Sequence, residues 1–192
     1  MAQDDTAAIA TRRCGRTLRR MSGLALNRER LDAAFAALSG RLVERETEAT
    51  VVLFGDAAMM FAHDARTEVD HVDAAPTPRG IVLGAARDAG QALGLPAHWI
   101  NDQHTGALPK YLDDDIVELW SQPNLVVRTL VPEVLLAMKA LVPNRAEDLA
   151  DIRVLAGAAG IADLIDVEVL IAELFPGRSI NARSRTALES VF

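Results

Sequence analysis

Apolar side chains recur three or four positions apart in the segment that follows Asn27. This spacing places them on one face of a helix. Asn27 suits the N-cap, because its side-chain oxygen accepts a hydrogen bond from a free backbone N–H of the first turn. The apolar positions are Leu31, Ala34, Phe35, Leu38 and Leu42. The pattern therefore predicts an amphipathic helix that begins directly after Asn27.

Two extended segments follow this helix. Residues 51–54 form a continuous apolar run that ends at Gly55, as is typical of a buried strand. Residues 69–75 alternate with a period of two. One face carries Val69, His71 and Asp73, and the other carries Asp70, Val72 and Ala74. Pro76 and Pro78 are expected to end this second strand, because proline has no backbone N–H to donate to a sheet.

Helical patterns dominate the rest of the chain. The predicted elements are a helix over residues 81–93 closed by Gly94 and Pro96, a strand over 124–131, a helix from Pro132 to Pro143, a helix over 146–156, and further helix to Phe192 with a break near Pro176 and Gly177. The order of these elements indicates an α+β class, in which strands occupy the front of the chain and the back is helical.

Composition fits an ordinary globular chain. The 192 residues are 50% hydrophobic and 24% charged, which indicates one domain or a domain with a small lobe. No apolar run approaches the roughly 18 residues that a transmembrane helix needs, so we expect no membrane partner. The net charge of -7 argues against a general nucleic-acid coat, although a local basic patch can still bind RNA.

The first 27 residues are expected to form a flexible basic arm, ahead of a core over residues 28–131 and a helical lobe over 132–192. The arm lacks the long apolar stretch of a secretory signal. It is a disordered tail, a binding arm for nucleic acid or an acidic partner, or a segment that precedes the true start at Met21; we favour the first and third explanations. Its arginines are Arg12, Arg13, Arg16, Arg19 and Arg20.

Cys14 is the only cysteine, so the chain has no internal disulfide. A lone cysteine fits a reducing compartment, and we expect a cytoplasmic protein. No histidine lies near Cys14 in the sequence, which argues against nucleophilic catalysis by this thiol. His63, His98 and His104 show no ligand spacing, so no zinc site is expected from them.

Candidate chemistry lies at Gly55 and Asp56, where the first predicted strand passes into a helix. Backbone N–H groups at such a helix start point into open space and bind phosphate. Asp70 and Asp73 on the adjacent strand are suited to hold Mg²⁺, which takes one or two carboxylates together with phosphate oxygens. A glycine at a strand end beside acidic residues is also ordinary loop composition, so the pattern alone leaves both explanations open.

Three sequence blocks resemble the nucleotidyltransferase-like proteins related to the AbiEii and MenT toxins, of the polymerase-β superfamily. The blocks are VVLFGDAAMMFAHDARTEVDHVDAAPTP, LGLPAHWINDQ and VVRTLVPEVLLAMKALVPNRAEDLADIRVLAGAAGI, and the similarity covers residues 28–192. The third block is the most specific and carries Pro132, Glu133, Leu135, Leu136, Ala137, Lys139, Arg145, Asp148 and Asp151. The resemblance implies a mixed sheet flanked by helices and a helical C-terminal lobe.

The resemblance also implies transfer of a nucleotide from an NTP to an acceptor, which is tRNA in some of these toxins, with Mg²⁺ as cofactor. It suggests an RNA acceptor and an antitoxin protein as partners. By resemblance, the catalytic residues are Asp70, Asp73 and Lys139, the nucleotide-binding residues are Gly55, Asp56, Lys139 and Arg145, and the metal ligands are Asp70, Asp73 and Asp151.

The chain departs from the family pattern at two positions. Asp56 stands where the family has a second small residue, and its charge would repel a triphosphate at that helix N-terminus. His71 stands where the family has the first aspartate of an Asp-x-Asp pair, and imidazole is a poor ligand for Mg²⁺. Asp70 faces the other side of a regular strand from Asp73, so a β-bulge at His71 is needed to bring the two carboxylates together.

Two hypotheses of different classes follow. The first is an Mg²⁺-dependent nucleotidyltransferase in which Lys139 contacts a triphosphate as a point charge. The second is a binding or regulatory protein that keeps the fold and a pocket or partner surface but has lost the metal chemistry. Under either hypothesis Lys139 can instead form a salt bridge to Asp148 or Asp151. These two aspartates lie one helical turn apart and can support the metal site, support Lys139 or form a solvated helix face. Asp56 and His71 favour the second hypothesis, and the block around Lys139 favours the first.

Overall fold

A computed structural model describes residues 25–110, 113–143 and 146–192. Its strands are β1 (Leu26–Asn27), β2 (Ala49–Phe54), β3 (Glu68–Val69), β4 (Val72–Thr77), β5 (Ile100–Asn101), β6 (Ile116–Gln122) and β7 (Leu125–Leu130). Its α-helices are α1 (Arg28–Glu44), α2 (Gly55–His63), α3 (Arg79–Leu93), α4 (Pro132–Leu141), α5 (Ala146–Ala159), α6 (Leu164–Leu174) and α7 (Ala182–Leu188). Short 3₁₀ turns lie at Thr105–Ala107 and Asp113–Asp115. The predicted α+β class is confirmed.

A five-stranded mixed sheet with the strand order β5-β4-β2-β7-β6 organises the core. β2 lies at its centre, antiparallel to β4 and parallel to β7. The apolar run of β2 is buried on both faces, as expected for a central strand. Leu53 pairs with Ala74, and Phe54 pairs with Asp73. The prediction that these two segments are neighbouring strands is therefore confirmed from Val72 onward.

The single strand predicted over residues 69–75 is divided in the structure. β3 pairs with β1 in a separate two-stranded sheet, the chain bends at residues 70–71, and β4 begins at Val72. β4 continues through Pro76 to Thr77, so the prediction that Pro76 ends it is wrong. β5 pairs with only the first two residues of β4. Pro76 therefore lies beyond the paired part of that edge, where its missing N–H breaks no bond to β5.

β6 is a strand that the hydrophobic pattern does not predict. It lies at the edge of the sheet, and its residues are partly or fully exposed, so no alternation of buried and exposed positions marks it. Its pairing with β7 is also shifted between Glu118 and Trp120, which breaks the period of two. An exposed and irregular edge strand of this kind leaves a weak signal in the sequence.

α1 begins where the sequence predicts. The side chain of Asn27 accepts a hydrogen bond of 2.9 Å from the backbone N–H of Arg30, and the five predicted apolar positions are all buried. Phe35 lies on this buried face. Its ring lies with centroid distances of 5.8 Å from the rings of Phe61, Trp99 and Trp120. Tilted ring pairs at this distance are favourable beyond their buried area, so the aromatic cluster fixes α1 against the rest of the core.

The back of the described chain is helical, as predicted. α4 packs against α5 and α6 and buries Leu135 and Leu136. α5 extends to Ala159, beyond its predicted end at residue 156. The predicted break coincides with the segment between α6 and α7, where Gly177 has a φ of 81°. None of the described helices is both long and apolar enough to cross a bilayer.

The end of the predicted basic arm belongs to the folded core. Leu26 and Asn27 form β1, and Leu26 is fully buried where it pairs with Val69. The arm boundary predicted after residue 27 is therefore too late in the chain. The arm before residue 25, with Cys14 and Met21, lies outside the described residues.

Gly90 of α3 provides a test of this packing, because it lies against Trp99. A Cβ added at Gly90 would lie 2.7 Å from Cδ1 of Trp99, whereas a Cβ at Gly84 in the same helix meets nothing within 4 Å. The indole is buried and donates a 2.8 Å hydrogen bond to the carbonyl of Ala86, so it has little freedom to move.

We expect Gly90→Ala to destabilise the fold by about 1–3 kcal/mol through overpacking. Gly84→Ala is the matched control and should stabilise by roughly 0.5–1 kcal/mol, because alanine favours a helix interior over glycine. Urea unfolding of both variants and the native chain measures the difference. Equal effects of the two substitutions would show that Trp99 is not held where the structure places it.

Candidate functional site

A cavity of about 590 Å³ lies where β2 passes into α2. It is bounded by the end of β2, the start of β4 and helix α4. The lining residues that carry polar or charged groups are Asp56, Asp70, His71, Asp73, His104, Lys139, Asp148 and Arg178. The apolar wall includes Leu135, Met138, Leu141, Val142 and Phe175. The cavity therefore joins residues from the predicted core and from the helical lobe, and it contains most of the site residues expected from the sequence.

Gly55 opens α2 directly against Asp73. Its φ is +64°, a left-handed conformation that glycine adopts without steric cost. A Cβ at this position would lie 3.1 Å from Oδ2 of Asp73. Because Phe54 pairs with Asp73 across β2 and β4, the register of the sheet delivers this carboxylate to the start of α2. Gly55 is thus required both by its own conformation and by the approach of Asp73.

Asp73 is surrounded by nitrogen donors. Its Oδ1 accepts a 2.9 Å hydrogen bond from Nδ2 of Asn101, which is its register partner on β5. The same oxygen lies 3.2 Å from Nδ1 of His104 and 3.4 Å from Nε2 of His71. Strand pairing places Asn101 beside Asp73. The bend at residues 70–71 places the imidazole of His71 beside the same carboxylate, and the turn at residues 104–107 does so for His104.

The contacts between Asp73 and the two histidines shift the pKa values of Asp73 and His71. Burial acts to raise the pKa of Asp73, but the hydrogen bonds from His71 and His104 outweigh burial and hold the pKa below its ordinary value. The hydrogen bond to Asp73 in turn raises the pKa of His71 above its ordinary value. Asp73 is therefore held as a carboxylate beside an imidazole that readily carries a proton.

Lys139 lies at the centre of a second group, which we call the lysine cluster and which consists of Asp56, Arg66, Lys139, Asp148 and Asp151. The Nζ of Lys139 lies 2.8 Å from Asp151, 3.2 Å from Asp148 and 3.5 Å from Asp56. Its side chain is only 11% exposed. The salt bridges predicted from Lys139 to Asp148 and Asp151 are therefore both present, together with one to Asp56.

Arg66 completes the lysine cluster and was not identified from the sequence. Its guanidinium contacts Asp151 at 2.5 Å and Asp56 at 3.3 Å. It lies in the segment between α2 and β3, where no periodic pattern draws attention to it. Only an indirect argument points to such a residue. Three aspartates around one lysine leave an excess of negative charge, and burial of that charge favours a second cation nearby.

The structure separates the predicted site residues into two groups. Asp56, Lys139 and Asp151 meet in the lysine cluster, whereas Gly55 and Asp73 meet at the start of α2. Asp70 lines the same cavity from the bend before β4. The β-bulge considered at His71 is replaced by that bend, which ends one strand and starts another. Arg145 lies outside the described residues.

The predicted metal ligands Asp70, Asp73 and Asp151 do not form a set in which one oxygen of each lies within 4.8 Å of the other two. Within the described ranges, three acidic side chains with ligand atoms all within 4.8 Å of one another are found at Asp56, Asp148 and Asp151. The ammonium of Lys139 already lies within 3.5 Å of an oxygen of each.

Mg²⁺ does not fit this donor arrangement well. It requires a near-octahedral shell of oxygen ligands at 2.0–2.1 Å, but the carboxylates of the lysine cluster already neutralise two buried cations. The carboxylate of Asp73 has imidazole nitrogens beside it, which are softer ligands than Mg²⁺ prefers.

No family model, curated protein or solved structure matches this chain. The function is therefore inferred from the cavity and from the two groups of charged side chains at its polar side.

The lysine cluster can be tested with the two lysines of the chain, Lys110 and Lys139. Lys139→Met removes one of two cations from a group of three carboxylates of which Asp148 and Asp151 are buried, and loss of one partner of a buried ion pair typically costs about 3–5 kcal/mol. Lys110 is exposed, so Lys110→Met should change stability by less than about 0.5 kcal/mol. Urea unfolding at neutral pH measures both values. A similar small effect for both substitutions would contradict the central place of Lys139.

Proposed function

We propose that this chain is a nucleotidyltransferase-like protein that binds a nucleotide in the cavity and has weak or no Mg²⁺-dependent nucleotidyl transfer. The observation that carries this proposal is the position of the Lys139 ammonium, which lies among Asp56, Asp148 and Asp151. A lysine held by three carboxylates is not available as a free point charge for a triphosphate, and the same carboxylates are not available to a metal ion.

The shape and lining of the cavity support a nucleotide as the ligand. Its volume of about 590 Å³ is within the range of roughly 300–1,000 Å³ that small-molecule sites occupy. Leu135, Met138 and Phe175 form an apolar wall on which a base can pack. The start of α2 at Gly55 lies at the polar side of the cavity, and a helix N-terminus attracts a phosphate. The carboxylates of Asp56 and Asp73 lie at the same end of the helix and oppose a large negative charge there.

Charge predicts which nucleotide binds best. The lining includes the aspartates Asp56, Asp70, Asp73 and Asp148, against the cations Lys139 and Arg178. A triphosphate brings several negative charges into this partly enclosed and acidic site, where repulsion is stronger than in water. In the absence of a metal ion we therefore expect AMP to bind at least as tightly as ATP.

An active transferase is the second candidate. The observation that favours it is that Gly55, Asp73 and Lys139 line one cavity, as expected from the resemblance to the AbiEii and MenT group. In this case the donor is an NTP, the acceptor is an RNA such as tRNA, and the protein acts as the toxin of a toxin–antitoxin pair in the cytoplasm.

Calorimetric titration with AMP and ATP tests ligand binding. Gly55→Ala introduces a Cβ close to Asp73 and strains a left-handed residue, so it should weaken binding about tenfold or more, which corresponds to about 1.4 kcal/mol. Gly106→Ala, in the turn beside the cavity, meets nothing within 4 Å and should leave binding unchanged. Binding that is absent in the native chain, or equal in both variants, would contradict the proposed site.

Incorporation of labelled NTP into RNA separates the two candidates. We expect the native chain and Asp73→Asn to give the same background in the presence of Mg²⁺. Robust transfer by the native chain that Asp73→Asn abolishes would instead establish the active transferase. His71→Asp restores the carboxylate that the family pattern carries, and a gain of transfer in that variant would locate the defect at this position.

A further inference from the structure

We propose that Asp73, His71 and His104 form a binding site for a divalent transition-metal ion of the Zn²⁺ type. These three side chains, which we call the Asp73 centre, line the cavity together. The proposal goes beyond nucleotide binding and does not depend on it, since it concerns a metal ion alone.

The observed distances support this arrangement. Zinc ligands lie about 2.0–2.1 Å from the metal in a tetrahedral shell, which places neighbouring ligand atoms about 3.3 Å apart. Oδ1 of Asp73 lies 3.4 Å from Nε2 of His71 and 3.2 Å from Nδ1 of His104. Three protein ligands define three distances between ligand atoms. Two of these distances already have the value that a tetrahedral site needs, and both involve Oδ1 of Asp73.

The third distance, between the nitrogens of His71 and His104, is still too long. The Asp73 centre is not among the described groups whose ligand atoms all lie within 4.8 Å of one another, so the two imidazole nitrogens must approach each other. His71 lies at the bend before β4, and His104 precedes the 3₁₀ turn at Thr105–Ala107. Their side chains are 45% and 64% exposed, and exposed side chains change rotamer rapidly.

The chemistry of the donor set selects the metal. Imidazole nitrogen with one carboxylate suits Zn²⁺ and related transition metals, whereas Mg²⁺ prefers oxygen ligands throughout. Asn101 donates to the carboxylate of Asp73, as hydrogen-bonding residues around metal ligands commonly do, and such a bond fixes the ligand orientation.

The Asp73 centre also has the form of an open site. Three protein ligands leave the fourth tetrahedral position for water or a bound molecule. All three side chains face the cavity, so that position opens onto the space in which we place the ligand. The lysine cluster does not compete for the ion, because its carboxylates are already paired with Lys139 and Arg66.

Titration of the full chain with ZnCl₂ alone, followed by calorimetry, tests the proposal. We expect one ion per chain, and a loss of affinity of about tenfold or more in His104→Ala and in Asp73→Asn, since even residues behind the ligands contribute that much. The chain has four histidines and one cysteine, so the matched controls are His98→Ala and Cys14→Ser, which should bind as the native chain does.

Replacement of Zn²⁺ by Co²⁺ gives an independent readout, because tetrahedral cobalt absorbs strongly in the visible range. This absorption band should appear with the native chain and be lost with His104→Ala. Because the His104 side chain is exposed, this substitution should not unfold the protein, so unfolding would not account for loss of the band. Zinc binding that is equal in His104→Ala and His98→Ala would overturn the proposal. Loss of binding in Cys14→Ser, or absence of binding in the native chain, would overturn it as well.

Discussion

The packing of the helical lobe against the sheet depends on the ion pairs of the lysine cluster, where positive and negative side chains meet at one point. Lys139 of α4 is held by carboxylates from α2 and α5, and Arg66 connects the same carboxylates to the segment that leads into β3. Three helices and a loop therefore meet at a group in which removal of either cation leaves three carboxylates with a single positive charge. Such an arrangement contributes little net stability over an apolar core, but it specifies how the helical lobe packs against the sheet.

The main elements of the fold could be predicted from local patterns. The helix after Asn27, the buried strand before Gly55 and the helix after Val131 are each marked by a period, a cap or a proline, because these signals depend on neighbouring residues. The edge strand β6 and the bend at residues 70–71 were not predicted. Both depend on partners that are distant in sequence: β6 on its pairing with β7, and the bend on the pairing of β3 with β1.

The candidate site could be predicted only in part for the same reason. The sequence identified Asp73 and Lys139 as important, and their neighbourhood follows from motifs within one segment. It did not identify Arg66 or the approach of His104 to Asp73, since these contacts join residues 85 and 31 positions apart. Local spacing placed His71 on the same strand face as Asp73 but gave no reason to expect His104 beside them. The parallel pairing of β4 with β5 carries the chain towards that position.

The pairing of β1 with β3 has a mechanical consequence. Val69 pairs with Leu26 and also forms part of the cavity wall. β1 thus supports β3, and β3 leads directly to the bend at residues 70–71, which carries His71. The pairing of β1 with β3 therefore places the first strand of the described chain directly against a strand that contributes to the wall of the cavity.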